Sequence, residues 1–181
     1  MSNFEMAIDF VLKNEGGLVD SPHDAGGITN YGISFRFLKS LSPESLKACG
    51  IYEPVCEQTI RDLSLNQAKL IYQNEFWNHA PFEKIGNQEI VNYIFDMAIN
   101  MGIAPAIKCV QRAIWAVMKR IGLKEDGIMG TQTLMSIQAC GFLLLPAIRS
   151  ERAGYYRLIA QSDVTQVSNL NGWLNRAYES N

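Results

Sequence analysis

Apolar residues recur every three or four positions along most of the 181-residue chain, and one short stretch breaks the rhythm. That spacing marks one face of an α-helix, which leaves room for little except a helical assembly with a single irregular insert. Phe4, Ala7, Ile8, Val11 and Leu12 set the first stripe, with Ser2 and Glu5 spaced as a capping box and Gly16-Gly17 as its stop. Residues 18 to 33 differ in character. Asp20, Pro22, Asp24, Gly26, Gly27 and Gly32 punctuate short Val, Ile, Thr and Tyr pieces, the pattern of a small hairpin or an irregular loop.

Helix signals then resume. Ser34 is placed to cap a helix to about Leu41, and Ser42-Pro43-Glu44 to start another, whereas Cys49 to Thr59 reads as loop. Ser64 and Gln67 repeat the capping-box spacing ahead of a helix to about Phe76. Ile90, Val91, Ile94, Phe95, Ala98 and Ile99 form a wide apolar stripe that Gly102 ends, and its width predicts deep burial. Pro105 opens a helix with Ile107, Val110, Ala113, Ile114, Val117 and Met118 inward until Gly122. After the loop Lys124 to Gly130 come helices from Thr131 to Cys140, from about Phe142 to Gln161, and from about Leu170. The expectation is seven to nine helices and at most one small sheet: a mainly α fold, a helical bundle with a small β or loop lobe.

Hydrophobic residues make up 48% of the chain against 19% charged, enough for a real core and incompatible with disorder. Charge is divided unevenly: residues 1 to 102 carry 7 Lys/Arg and 13 Asp/Glu, residues 103 to 181 carry 9 and 5. A surplus of four positive charges is weak beside the basic faces of nucleic-acid binders, and no zinc-finger, RNP or bZIP pattern accompanies it, so nucleic acid is not an expected partner. The four cysteines form no CxxC pair and stand near no histidine at ligand spacing, which points to free, mostly buried thiols and no metal site. Glu5 and Asp9 interrupt what would be the apolar core of a signal peptide, and the longest apolar stretch, Phe142 to Ile148, is seven residues with a proline in it. A protein made in the cytoplasm, with no integral membrane segment, is the expectation.

One carboxylate stands out. Glu15 lies at the C-terminal end of the first helix, where the macrodipole is negative and a carboxyl should titrate high, as a general acid needs. Asp24 follows nine residues later and Thr29 fourteen, with glycines that let the loop fold back. Two carboxylates across a cleft are the equipment for glycosidic cleavage: one protonates the leaving oxygen, the other stabilises the oxocarbenium or activates water. Asp24 either fills that second role or satisfies loop amides, with Asp20 as the fallback, and Thr29 is either its partner or an ordinary strand residue. Asn30 and Tyr31 either meet sugar or, for Tyr31, fill the hairpin core. Trp77 is a cleft wall or a core residue, and Asp96 with Asn100 either anchors the first helix or meets acetamido groups of substrate.

Glu15 to Ser34, E-G-G-L-V-D-S-P-H-D-A-G-G-I-T-N-Y-G-I-S, resembles the signature of the glycoside hydrolase family 108 N-acetylmuramidases, found as phage endolysins and as muramidases serving toxin release. The likeness continues through Tyr72-Gln-Asn-Glu-Phe-Trp77 and Asp96-Met-Ala-Ile-Asn-Met-Gly102. It extends into Val110-Gln-Arg-Ala-Ile114, Asp126-Gly-Ile-Met-Gly130 and Gly172-Trp-Leu-Asn-Arg176, which resemble the family's peptidoglycan-binding segment. Leu18 and Thr131 depart from it, standing where an aromatic and a proline are common. The resemblance implies a lysozyme-like fold with the β lobe across a cleft from the bundle, a catalytic segment over 1–102 and a binding segment over 103–181, both within one domain. It further implies hydrolysis of the β-1,4 bond between N-acetylmuramic acid and N-acetylglucosamine, with Glu15 matching the catalytic glutamate and no cofactor. The order Glu15, Asp24, Thr29 is similar to that of phage-type lysozymes, in which a Thr helps position the water that Asp activates. Here the spacing Glu-x8-Asp-x4-Thr is one residue tighter before the Thr. The expected partner is the peptidoglycan glycan strand. A monomer reaching the cell wall or periplasm after release through a holin-like partner completes the picture. A lytic transglycosylase giving 1,6-anhydro products and a noncatalytic wall-binding or secretion adaptor are the alternatives.

Overall fold

The computed structural model describes residues 2–14, 17–20, 27–52, 54–119 and 122–178. These hold ten α-helices, four 3-10 turns and one two-stranded sheet, so the fold is mainly α. Internal contacts gather into two compact units, Asn3–Pro81 and Met1–Ser2 with Phe82–Asn181.

In the first unit, α1 (Phe4–Asn14) buries Ala7, Ile8 and Val11 completely and packs on α5 (Leu65–Glu75). Its cap is Asn3, whose Oδ1 accepts from the Glu5 N–H at 2.7 Å, and not the expected Ser2. Ser2 is engaged elsewhere, its hydroxyl and N–H donating to the carbonyls of Ile85 and Glu83. Lys69 on α5 reaches both Glu5 (2.7 Å) and Asp9 (3.0 Å), one turn apart on α1, and the Phe4 ring meets Trp77 edge-on at 5.4 Å.

The insert is a hairpin: β1 (Thr29–Asn30) pairs antiparallel with β2 (Ile33–Ser34), Thr29 opposite Ser34. Short helices follow, each capped as its chemistry predicts. Ser34 accepts from the Phe37 N–H at the start of α2 (Phe35–Ser40), and Ser42 from the Ser45 N–H ahead of α3 (Pro43–Ala48). Ser64 and Gln67 close the capping box of α5. The segment expected as loop ends instead in α4 (Glu57–Arg61), where the cap position is Cys56 and Ile60 is the only buried side chain. Five residues with one inward position leave no periodicity to read.

The second unit packs α7 (Ile103–Met118) against α6 (Gln88–Met101) and α9 (Leu144–Ser162), and α9 against α10 (Leu170–Tyr178), with α8 (Thr131–Cys140) against α7. Helix α7 stops short of Gly122 because Lys119 turns left-handed at φ 51°. Phe142 is 84% exposed in a 3-10 turn, and α9 begins after it. By length and composition the helical run Thr131–Ser162 could pass for a membrane span, the one such run among the described residues. A 3-10 turn interrupts that run at Gly141–Leu143, and α9 buries a charged side chain against its neighbours, the marks of a packed helix pair. Cys49, Cys109 and Cys140 are buried free thiols and Cys56 an exposed one, with burial pushing Cys109 up to about 11.

At the centre of this unit lies Asp96 on α6, 1% exposed. It meets Nη2 of Arg152 on α9 at 2.8 Å and Nη2 of Arg176 on α10 at 2.6 Å. Asp96 therefore ties α6 to α9 and α10, whose arginines lie far along the chain. Arg152 is fully buried, and its guanidinium sits over the rings of Tyr93 (5.1 Å) and Tyr156 (5.5 Å). Tyr93 in turn donates to the Ala177 carbonyl on α10. Desolvation outweighs the nearby cation and pushes the Tyr93 phenol up to about 12.

Removing one partner of a buried ion pair leaves uncompensated charge. Asp96→Asn is accordingly expected to cost about 3–5 kcal/mol in urea unfolding. Asp9→Asn, which disturbs only the exposed Lys69 pairing, should cost below about 1 kcal/mol.

Candidate active site

The first unit carries the hairpin and the helix that leads into it. Beyond α1, Val19 forms an antiparallel bridge to Thr29, with N–H to carbonyl distances of 2.8 and 2.9 Å. This bridge joins the two ends of the segment in which Asp24 lies. Glu15 and Asp24 themselves lie outside the described residues, as does His23.

Thr29 is half-buried, and its hydroxyl donates to the Gly27 carbonyl at 3.3 Å. Asn30 is buried, with Nδ2 donating to the carbonyls of Ile60 (3.0 Å) and Leu63 (3.5 Å), so its amide holds the hairpin onto the end of α4. Tyr31 and Gly32 form the turn, both with positive φ (50° and 77°), the geometry of a type I′ hairpin. A tyrosine pays for that left-handed backbone with steric strain, offset by the Tyr72 hydroxyl, which donates to the Tyr31 carbonyl at 2.9 Å. Asp20, the fallback carboxylate, is ion-paired to Arg61 of α4. Trp77 is buried against Phe4 and is a core residue of this unit.

Asn100 belongs to the second unit. It is exposed near the end of α6, and its Oδ1 accepts from the Tyr156 hydroxyl at 2.6 Å. Tyr156, together with Trp173 stacked on it, was not among the expected site residues; the Gly172-Trp-Leu-Asn-Arg176 stretch was the available signal for Trp173. Gln111, buried on α7, donates to Asp126 Oδ1 (2.9 Å) and accepts from the Gly127 N–H (3.0 Å). The bond from Gln111, and after it one donated by the Ile128 N–H at 2.9 Å, hold the Asp126 carboxyl below its ordinary range. Gly127 is left-handed, and a Cβ there would lie 3.0 Å from the Ala104 carbonyl oxygen. The Gln111 and Asp126-Gly127 motifs thus build the loop that precedes α8. Among the described residues no three His, Cys, Asp or Glu side chains converge as metal ligands would.

A hairpin inserted after the first of a set of helices defines a mainly α, lysozyme-like protein, and the chain is similar in fold to the solved structure of Brucella abortus SagA. That similarity has a TM-score of 0.63 at 24% identity and covers 98% of this chain and 97% of that one. Residues 8–102 match the family model described as Glycosyl hydrolase 108, and residues 105–178 the one described as Predicted Peptidoglycan domain. The chain belongs to the glycosyl hydrolase 108 family, and is a muramidase-type peptidoglycan hydrolase with a C-terminal peptidoglycan-binding segment. No curated protein matches it.

The hairpin turn offers a direct check. Gly32→Ala puts a Cβ on a left-handed residue and should cost about 1–2 kcal/mol in chemical denaturation. Tyr31→Asn should leave stability level or raise it, because asparagine tolerates that backbone.

Proposed function

We propose that the protein hydrolyses the β-1,4 bond between N-acetylmuramic acid and N-acetylglucosamine, with Glu15 as general acid. The observation that carries this is the placement of α1. That helix is clamped to α5 by Lys69 and to the following 3-10 turn by the Phe4–Trp77 contact, and it ends at Asn14, the residue before Glu15 in the sequence. A carboxyl next to unsatisfied helix carbonyls holds its proton to higher pH, as protonation of a leaving sugar oxygen requires.

Asp24, with Thr29, the partner of Val19 in its bridge, supplies the second group, activating water or stabilising the oxocarbenium. Residues 1–102 then cut and 103–181 hold the wall. The setting is endolysin-type lysis or toxin release: a monomer, made in the cytoplasm, acts on the wall after a holin-like pore admits it.

Glu15→Gln keeps the shape of the side chain and removes the transferable proton. Solubilisation of purified peptidoglycan should fall roughly 10³-fold while thermal unfolding is unchanged. A folded Glu15→Gln protein that clears peptidoglycan at the parent rate contradicts the assignment.

A further inference from the structure

Two side chains from distant parts of the second unit meet on Tyr156. The Tyr156 hydroxyl accepts from the Nε–H of Arg152, one helical turn earlier, at 2.9 Å. Arginine can only donate, so the hydroxyl's own proton needs an acceptor, and Asn100 Oδ1 provides it at 2.6 Å. Burial raises the Tyr156 phenol above its ordinary range, so the hydroxyl keeps its proton at neutral pH. The direction of the whole chain is thereby set: Asp96 holds Arg152, Arg152 donates to Tyr156, and Tyr156 donates to Asn100.

The consequence lies on the surface. With Oδ1 taken, the Nδ2 group of Asn100 carries two N–H donors on an exposed residue, and it has no bonded acceptor among the described residues. On the ring of the same Tyr156, the half-buried Trp173 is stacked at 5.2 Å and 26°. An oriented amide donor and a partly exposed indole, both held by the same Tyr156, suit an N-acetylated sugar, whose acetamido carbonyl accepts and whose methyl and ring face are apolar. A carboxylate ligand fits less well, because Arg152 and Arg176 already point their guanidinium groups at Asp96.

We propose that Asn100 and Trp173 form a subsite for an acetamido group of the glycan strand, with Tyr156 and Arg152 as positioning residues that fix the Asn100 carboxamide. This rests on the reading of peptidoglycan as the substrate, and it assigns a ligand group to side chains outside the catalytic segment's Glu15 and Asp24.

The test is sedimentation binding to sacculi in a Glu15→Gln background, so that the wall persists whichever way catalysis works. Asn100→Ala should bind N-acetylated sacculi about tenfold more weakly, the loss of about one good hydrogen bond, while remaining folded with a melting temperature lowered by a few degrees, because the Tyr156 proton loses its acceptor. On chemically de-N-acetylated sacculi the two proteins should bind alike, and on peptide-stripped glycan the tenfold gap should persist. Tyr156→Phe keeps the stack on Trp173 but frees the carboxamide. It should weaken binding in the same arms, and the double variant should bind no worse than Asn100→Ala alone. Equal binding by parent and Asn100→Ala on N-acetylated wall, or an equal loss on both walls, overturns the subsite. A gap that closes on peptide-stripped glycan overturns it too, by assigning the donor to a stem carboxylate. Wall digestion by the protein with Glu15 intact reports separately on the hydrolase reading.

Discussion

A buried carboxylate between two guanidinium groups organises the second unit. Asp96 has almost no contact with solvent, and taking it and Arg152 out of water costs several kcal/mol that only close pairing can offset. The pairing is available in one arrangement: α6 must present Asp96 where α9 brings Arg152 and α10 brings Arg176. An apolar core tolerates small slips between helices, because oily surfaces are interchangeable. An ion triad does not, since a slip would strand charge in a low-dielectric interior. The aromatic rings of Tyr93 and Tyr156 around Arg152 extend the same constraint, one to the Ala177 carbonyl on α10 and the other to Asn100 on α6.

How much of this was legible depended on range. Ser34, Ser42 and Ser64 announce their helices because a cap is a contact between residues three apart, and the capping box of Ser64 and Gln67 forms as its spacing requires. The glycines around Thr29 to Ser34 announce a hairpin for the same local reason. Local pattern misled at the first helix, where Asn3 takes the cap expected of Ser2. It was silent at α4, too short to repeat. Asp96 was recognisable as a polar group on an apolar face, yet its partners lie on helices whose approach no local spacing encodes. The same holds for Asn30, whose exposed-looking position after Thr29 gives no hint of the Ile60 carbonyl that receives it. Tyr156 has an ordinary place on α9 and becomes interesting only when Arg152, Asn100 and Trp173 converge on it.

The boundaries of the chain can be drawn in two ways. By family, the glycosyl hydrolase match runs from residue 8 to 102 and the peptidoglycan match from 105 to 178. By packing, the compact units divide at Pro81 and Phe82, because α6 packs against α7 and α9. Helix α6 is therefore shared: its sequence belongs to the hydrolase family's segment, and its Asp96 and Asn100 are held by residues of the binding segment. That sharing gives a physical reason for the two segments to occur together, since the first lacks partners for Asp96 without the second.

The claim at the centre of this account is a hydrolytic cut made by an acid at Glu15 with water as acceptor. Mass analysis of the fragments released from purified peptidoglycan tests it most directly. Hydrolysis at the muramic acid predicts reducing-end muropeptides that carry the elements of one water. Products lighter by that water, with a 1,6-anhydro end, would show a transglycosylase, and a wall left bound but intact would contradict catalysis altogether.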